Sequence, residues 1–300
     1  MSEAGPGAAA PSGEDSGGGA LAPAAQERLQ LAADVVDAAY AGLRPFYSNL
    51  LDDMGATDSF LICGHSLLLE LLAGERLDWS HGGQFLQLRA ALERFIAGIN
   101  AANTTGLRYW VVLFDASAAV LPGAAAQAAL ALAASWLPAL GVPTLRFSAW
   151  WGEDWRQWLE RVRPSMLLLT DLPQGDPSGG AAAAASSAAQ LQRARLFLQA
   201  AVVANQAQGV QCAFMSELRF MAEGHLFGFR TGWRSWVPSR RGTADRNALS
   251  AAAARDVGLA FERSAAEADG GSEGGALDAA ALAQEIVGSA PPGVPWCCAR

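Results

Sequence analysis

Four short apolar runs, each closed by a glycine or a polar residue and separated from the next by a stretch of helical period, constrain this chain most. Phe60-Leu61-Ile62-Cys63 ends at Gly64, and Tyr109-Trp110-Val111-Val112-Leu113-Phe114 ends at Asp115. Met166-Leu167-Leu168-Leu169-Thr170 ends at Asp171, and Gln211 to Met215 is followed by Ser216 and Glu217. Runs of this length without polar alternation suit strands buried on both faces. A weaker strand is expected over Thr144 to Phe147. Between the runs, Phe85, Leu88, Leu92, Phe95 and Ile99 recur on one helical stripe. Further helices are expected near Ser66–Leu72, in the Ala-rich stretch after Asp115, from Asp154, and over about Gln190–Gln206. Strands separated by helices need right-handed parallel crossovers, so the expected fold class is α/β, a parallel doubly wound sheet flanked by helices.

The ends read differently. Residues 1–24 and 247–300 are rich in Gly, Ala, Ser and Pro and poor in large apolar side chains, so they are expected to be mostly disordered tails. Residues 25–58 read as a helical lead-in, 59–226 as the α/β domain, 173–187 as a low-complexity insertion, and 227–246 as an Arg/aromatic extension. Much of the 51% hydrophobic content is alanine, which removes little surface from water, so that figure overstates the core.

Charge and cysteine usage narrow the function classes. The formal net charge is -8 and the chain contains no lysine, which argues against a protein that coats nucleic acid generally. Any RNA contact must be local. Cys63, Cys212, Cys297 and Cys298 match neither a zinc clamp nor a secreted disulfide framework, so a reducing compartment is expected. The first twenty residues lack both the apolar centre of a signal peptide and the arginines of a transit peptide. Gly123 to Val142 is uncharged over about a bilayer's length, yet its alanine content and Pro138 favour a buried helix over a membrane span.

In doubly wound sheets, ligands gather beyond the carboxyl ends of the strands. Those ends carry Cys63, Asp115, Asp171 and Glu217, and Glu70 could project from the first helix toward them. Carboxylates converging there could hold divalent metal and activate water against a phosphodiester. On the other side, Asp115 and Asp171 could simply cap helices or satisfy loop amides, and Glu70 could be a solvated acid. Cys63 with His65 lacks a third partner for a soft-metal or thiol site. Trp155, Trp158, Leu159 and Val162 share a face and read as core, while Trp150 and Trp151 are expected to be more exposed. Phe227 to Arg246 interleaves aromatics with Arg230, Trp233, Arg234, Arg240 and Arg241, a combination suited to single-stranded RNA. Its plain alternative is a strap packed on the domain.

The blocks Phe60-Leu61-Ile62-Cys63-Gly64-His65-Ser66-Leu67-Leu68 and Leu77-Asp78-Trp79-Ser80-His81-Gly82-Gly83-Gln84-Phe85-Leu86 resemble the PIN-like region near the N-terminus of the large DExD/H-box helicase 60-like proteins, superkiller-type superfamily 2 RNA helicases. Phe114-Asp115 and the Trp151-Gly152 to Leu159 segment extend the resemblance, which covers roughly Phe46 to Leu226. It implies a cytoplasmic, RNA-linked role of the antiviral sensing or decay kind. Partners would be single-stranded RNA or an RNA-processing protein. Typical relatives carry Asp-Gly-Asp or Asp-Gly-Glu where this chain has Cys63-Gly64-His65, which implies a pseudo-nuclease. Magnesium or manganese would be the cofactor only if Asp115, Asp171, Glu217 and Glu70 still formed a nuclease. The sequence has neither a phosphate loop ending in Lys and Ser or Thr nor an Asp-Glu-x-Asp or Asp-Glu-x-His box after a strand, so the chain is expected to be a free-standing relative of that N-terminal module or a piece of a longer product.

Overall fold

A computed structural model of the chain describes residues 23–52, 54, 58–74, 84–121, 123–171, 184–221, 224–231 and 242–270. Five parallel strands form its centre: β2 (Ser59–Cys63), β3 (Arg108–Phe114), β4 (Thr144–Phe147), β5 (Met166–Leu169) and β6 (Gln211–Phe214). β2 lies in the middle, with β3 and β4 on one side and β5 and β6 on the other. Strand order therefore reverses between β2 and β5, the place where open α/β sheets leave a crevice.

Both faces of this sheet are covered. Leu61, Val112, Leu167 and Cys212 face one core, packed against α1 (Pro23–Ala41), α5 (Glu153–Val162), α6 (Ala184–Ala207) and α7 (Gly242–Gly270). Phe60, Ile62, Val111, Leu168 and Ala213 face the other, packed against α3 (Phe85–Ala102) and α4 (Gly123–Ala139). This two-sided burial explains why β2 and β5 read as unbroken apolar runs. Of the expected stripe on α3, Leu88, Leu92 and Ile99 are buried while Phe85 and Phe95 are half-buried, and Ile96, outside that stripe, completes the buried face. Asn103 then closes the helix-to-strand turn by donating to the Leu107 carbonyl at 2.8 Å and accepting the Leu107 N–H at 2.8 Å.

Between β2 and the following helix, α2 (Gly64–Gly74), a side chain has no room. A Cβ on Gly64 would lie 2.4 Å from Leu113 Cδ2 and 3.1 Å from Val111 Cγ1. The glycine lets α2 start immediately off the strand and brings His65 against β3.

The expected α/β architecture, a mostly parallel sheet flanked by helices, is present, and antiparallel strands extend one edge so that the whole sheet is mixed. β1 (Pro45–Asn49) pairs antiparallel with β8 (His225–Thr231), β8 touches β6 through Ala213 and Arg230, and β7 (Arg219–Met221) pairs antiparallel with β8. The lead-in at 25–58 thus holds a strand as well as a helix. The Arg/aromatic extension begins as a sheet strand. Asn49 anchors this corner: its side-chain oxygen accepts the Leu226 N–H at 3.2 Å, and Leu50 N–H donates to the Leu226 carbonyl at 2.7 Å.

One correction concerns the expected C-terminal tail, because α7 runs through Gly270 and packs on α1 and α6. Its inward face is small: Ala253, Ala254, Val257 and Ala260 are buried. α7 also overturns the expected exposure of the tryptophan pair. Trp150 is 1% exposed, and Trp151 is half-buried over Gly258 of α7. Trp155 is fully buried as core, its indole N–H donating to Asn205 Oδ1 at 3.2 Å. The Ala-rich α4 buries Ala128, Ala129 and Leu132, and no described helix is long and apolar enough to cross a membrane. The disorder expected for residues 1–22 and 271–300 and most of the insertion at 173–187 lies outside the described residues; α6 already begins at Ala184.

Candidate functional site

All four strand-tip positions lie at the carboxyl edge of the parallel strands, but their side chains are engaged separately. Asp115 opens a short 3-10 turn after β3 and accepts from Arg146 Nε of β4 at 2.5 Å. Both side chains are more than half exposed, so the pair is a solvated one worth little in stability. Asp171, just beyond β5, accepts a hydrogen bond from the Tyr40 hydroxyl of α1. Burial and this carboxylate push the Tyr40 hydroxyl well above the usual phenol range. Glu217 is exposed on the 3-10 turn after β6.

Glu70 is the one expected acid that reaches a second. It projects from α2 toward Thr170 and Asp171: the Thr170 side chain hydrogen-bonds its carboxyl, while Asp171 adds negative charge nearby. Burial dominates and raises the Glu70 pKa, and its Oε1 is enclosed without a hydrogen-bond partner. Tyr40, Glu70, Thr170 and Asp171 thus meet beside the point where strand order reverses.

The first-strand tip is apolar in character. Burial pushes the Cys63 thiol up, against the opposing hydrogen bonds from Ser66 and His65, so it rests as a neutral thiol. His65 is 3% exposed, and its Nδ1 accepts the Phe114 N–H at 3.5 Å. Desolvation lowers its pKa to about 4, with Asp115 opposing and Arg146 assisting the shift. It is therefore a neutral imidazole at physiological pH, and its Nε2 has no hydrogen-bond partner.

These residues do not fit a divalent-metal centre. Among the described residues, no three His, Cys, Asp or Glu side chains come together as a group that could hold an ion. The expected convergence of Asp115, Asp171, Glu217 and Glu70 is corrected to one Glu70–Asp171 neighbourhood, with Asp115 held apart by Arg146. A hard cation needs several oxygen donors, and two acids beside a buried thiol and imidazole do not supply them.

Of the expected nucleic-acid contacts, Arg230 lies on β8 with its guanidinium 4.7 Å from the Phe46 ring centre. Trp233, Arg234, Arg240 and Arg241 lie outside the described residues. Sequence reasoning missed Tyr40, Arg146, Thr170 and the aromatics of β1. The adjacent aromatics Phe46 and Tyr47 were a signal for that strand; Tyr40 and Arg146 had none, because their partners are 131 and 31 positions away.

With this geometry in hand, comparison with protein-family models, with curated proteins and with solved structures returns no match.

Proposed function

We propose that this chain is a PIN-like module related to the N-terminal domain of DExD/H-box RNA helicases, catalytically degenerate, and that it acts by binding single-stranded RNA. The observation that carries this reading is the separate engagement of the strand-tip acids: Asp115 with Arg146, Asp171 with Tyr40, and a buried Cys63–His65 tip in place of two carboxylates. The central strand order, with β2 flanked by β3 and β5, leaves a crevice at the carboxyl edge of the strands where such a module would meet a ligand. A ligand-gathering edge remains, but the oxygen donors for phosphodiester hydrolysis are dispersed.

The test is incubation of the full chain with labelled single-stranded RNA and manganese, read for both cleavage and binding. Salt-sensitive binding without cleavage is the expected result. Cleavage that Asp115→Asn or Asp171→Asn abolishes would overturn the degenerate reading, and failure to bind RNA even at low salt would leave a protein-interaction domain instead. A metal-dependent ribonuclease is the second reading, favoured only by the closeness of Glu70, Thr170 and Asp171.

A further inference from the structure

The strand order ends in β1 on one side and β4 on the other, and among the described residues each of these two strands pairs along one side only. The unpaired N–H and C=O groups of such a strand are a template for a further strand, and soluble proteins blunt them with charge, proline or a cover. β4 is blunted: it has four residues, and one of them is Arg146, whose side chain is 74% exposed. β1 has no charged residue between Pro45 and Asn49, and Pro45, at its first position, is its one blunting feature.

β1 also exposes large rings on both of its faces. Successive residues of a strand point to opposite sides, so nothing docked on one face could cover both Phe46 and Tyr47, yet they are 41% and 47% exposed. Phe46 has the Arg230 guanidinium 4.7 Å from its ring centre; Tyr47 stacks with Phe227 at 5.8 Å and meets Phe229 edge-on at 5.1 Å. These neighbours all belong to β8, on the inner side. A further strand along the outer side of β1 would set a cross-strand neighbour beside each ring, one on either face. The backbone suits this. Leu50 N–H donates to the Leu226 carbonyl, so by antiparallel alternation Phe46 and Ser48 also turn their backbone groups toward β8, and Tyr47 turns its N–H and C=O outward.

The charges at the two ends of the strand favour a second copy of the same strand as its partner. Arg44 precedes β1 and Asp52 lies just beyond its far end, both exposed. Antiparallel pairing of β1 with another β1 therefore brings the Arg44 end of each copy to the Asp52 end of the other. With the two-fold axis at Tyr47, the two Tyr47 residues stand opposite one another on one face, and Phe46 stands opposite Ser48 on the other. No like charges meet along the paired strands. Each copy's net charge of -8 opposes association and the ladder is short, so the dimer is a weak, reversible one.

We propose that β1 is a self-association edge, through which two copies of this chain pair antiparallel about a two-fold axis at Tyr47 and join their sheets into one. The contact is independent of the RNA-binding reading above, because it uses the backbone edge of β1 and neither the strand-tip acids nor a nucleic-acid surface.

Sedimentation equilibrium of the full chain, from micromolar to millimolar concentration, tests it. A reversible monomer–dimer equilibrium is expected. Tyr47→Lys sets two like charges at the axis in place of an aromatic pair and should weaken the dimer about tenfold or more, while Tyr47→Phe should leave it close to the parent. Arg44→Asp should weaken it by setting acid against acid, and adding Asp52→Arg should restore it. Thermal unfolding of each variant at monomeric concentration separates a lost contact from a lost fold. A parent chain that stays monomeric throughout overturns the proposal. A dimer that survives Tyr47→Lys places the contact elsewhere and overturns it too. Loss in Arg44→Asp that Asp52→Arg does not restore overturns the antiparallel alignment, and growth into species larger than a dimer overturns the two-fold closure.

Discussion

Gly258 of α7 lies against the indole of Trp151: a Cβ built on it would be 2.5 Å from Cε3 and 2.6 Å from Cζ3 of that ring. The close approach lets a helix lined by small residues reach the sheet's tryptophan loop. Phe261, three residues on, then meets Phe197 of α6 with ring centres 4.4 Å apart. Gly258→Val should therefore destabilise the fold by about 2 kcal/mol through overpacking, despite relieving a helical glycine. Chemical denaturation checks this, and an unchanged midpoint would mean that α7 does not dock as described.

Tyr40 ties α1 to the tip of β5 through Asp171. Removing only its hydroxyl, by Tyr40→Phe, keeps the ring packing and deletes a hydrogen bond to a carboxylate in a part-buried place. A loss of about 1 to 2 kcal/mol in denaturant unfolding is expected. No nuclease activity should appear with it, since freeing Asp171 still leaves too few oxygen donors.

His65 makes stability depend on pH. The unfolded chain takes up a proton on this imidazole below about pH 6.5, whereas the folded chain resists until about pH 4 because burial disfavours the cation. The unfolded state thus binds more protons across that window, and stability falls as pH drops through it, by roughly 3 kcal/mol in all. His65→Asn, which keeps an acceptor for the Phe114 N–H, should show a flatter decline between pH 6.5 and 4 in urea titrations at matched ionic strength. A decline as steep as the parent's would remove the imidazole from the account.

Glu70 acts with the opposite sign. Its folded pKa is raised above the unfolded value by burial, so folding is favoured while the carboxyl is protonated, and this support is lost as pH rises through the folded pKa. Once the carboxyl ionises, its charge is held next to Asp171 with Oε1 enclosed and unpaired. Glu70→Gln should therefore raise the thermal midpoint at pH 7, with the gain fading toward acid. A lower midpoint at pH 7 would show that the carboxylate itself is holding something together there.

The elements legible beforehand share one physical trait. β2 and β5 are buried throughout, and the last four residues of β3 are buried, so their residues form apolar runs that no solvent-facing alternation interrupts. The α3 stripe was equally plain because large side chains mark its buried face. β1, β7 and β8 were missed or taken for an extension because they lie at the edge: β1 and β7 are mostly exposed and β8 is only partly buried, so none forms an unbroken apolar run. α7 was hidden for another reason: its buried face is mostly alanine, which looks the same in a packed helix as in a low-complexity tail.

By itself the amino-acid order determined the α/β class, the central parallel strands and the placing of Cys63, Asp115, Asp171 and Glu217 at strand tips, since all three follow from local period and run length. Which of those tips cooperate was decided by tertiary structure alone. Arg146 arrives from β4 to hold Asp115 and Tyr40 from α1 to hold Asp171, while Glu70 leans on Thr170. A side chain's charge state and reach depend on its neighbours in space, and those neighbours are set by how distant segments pack.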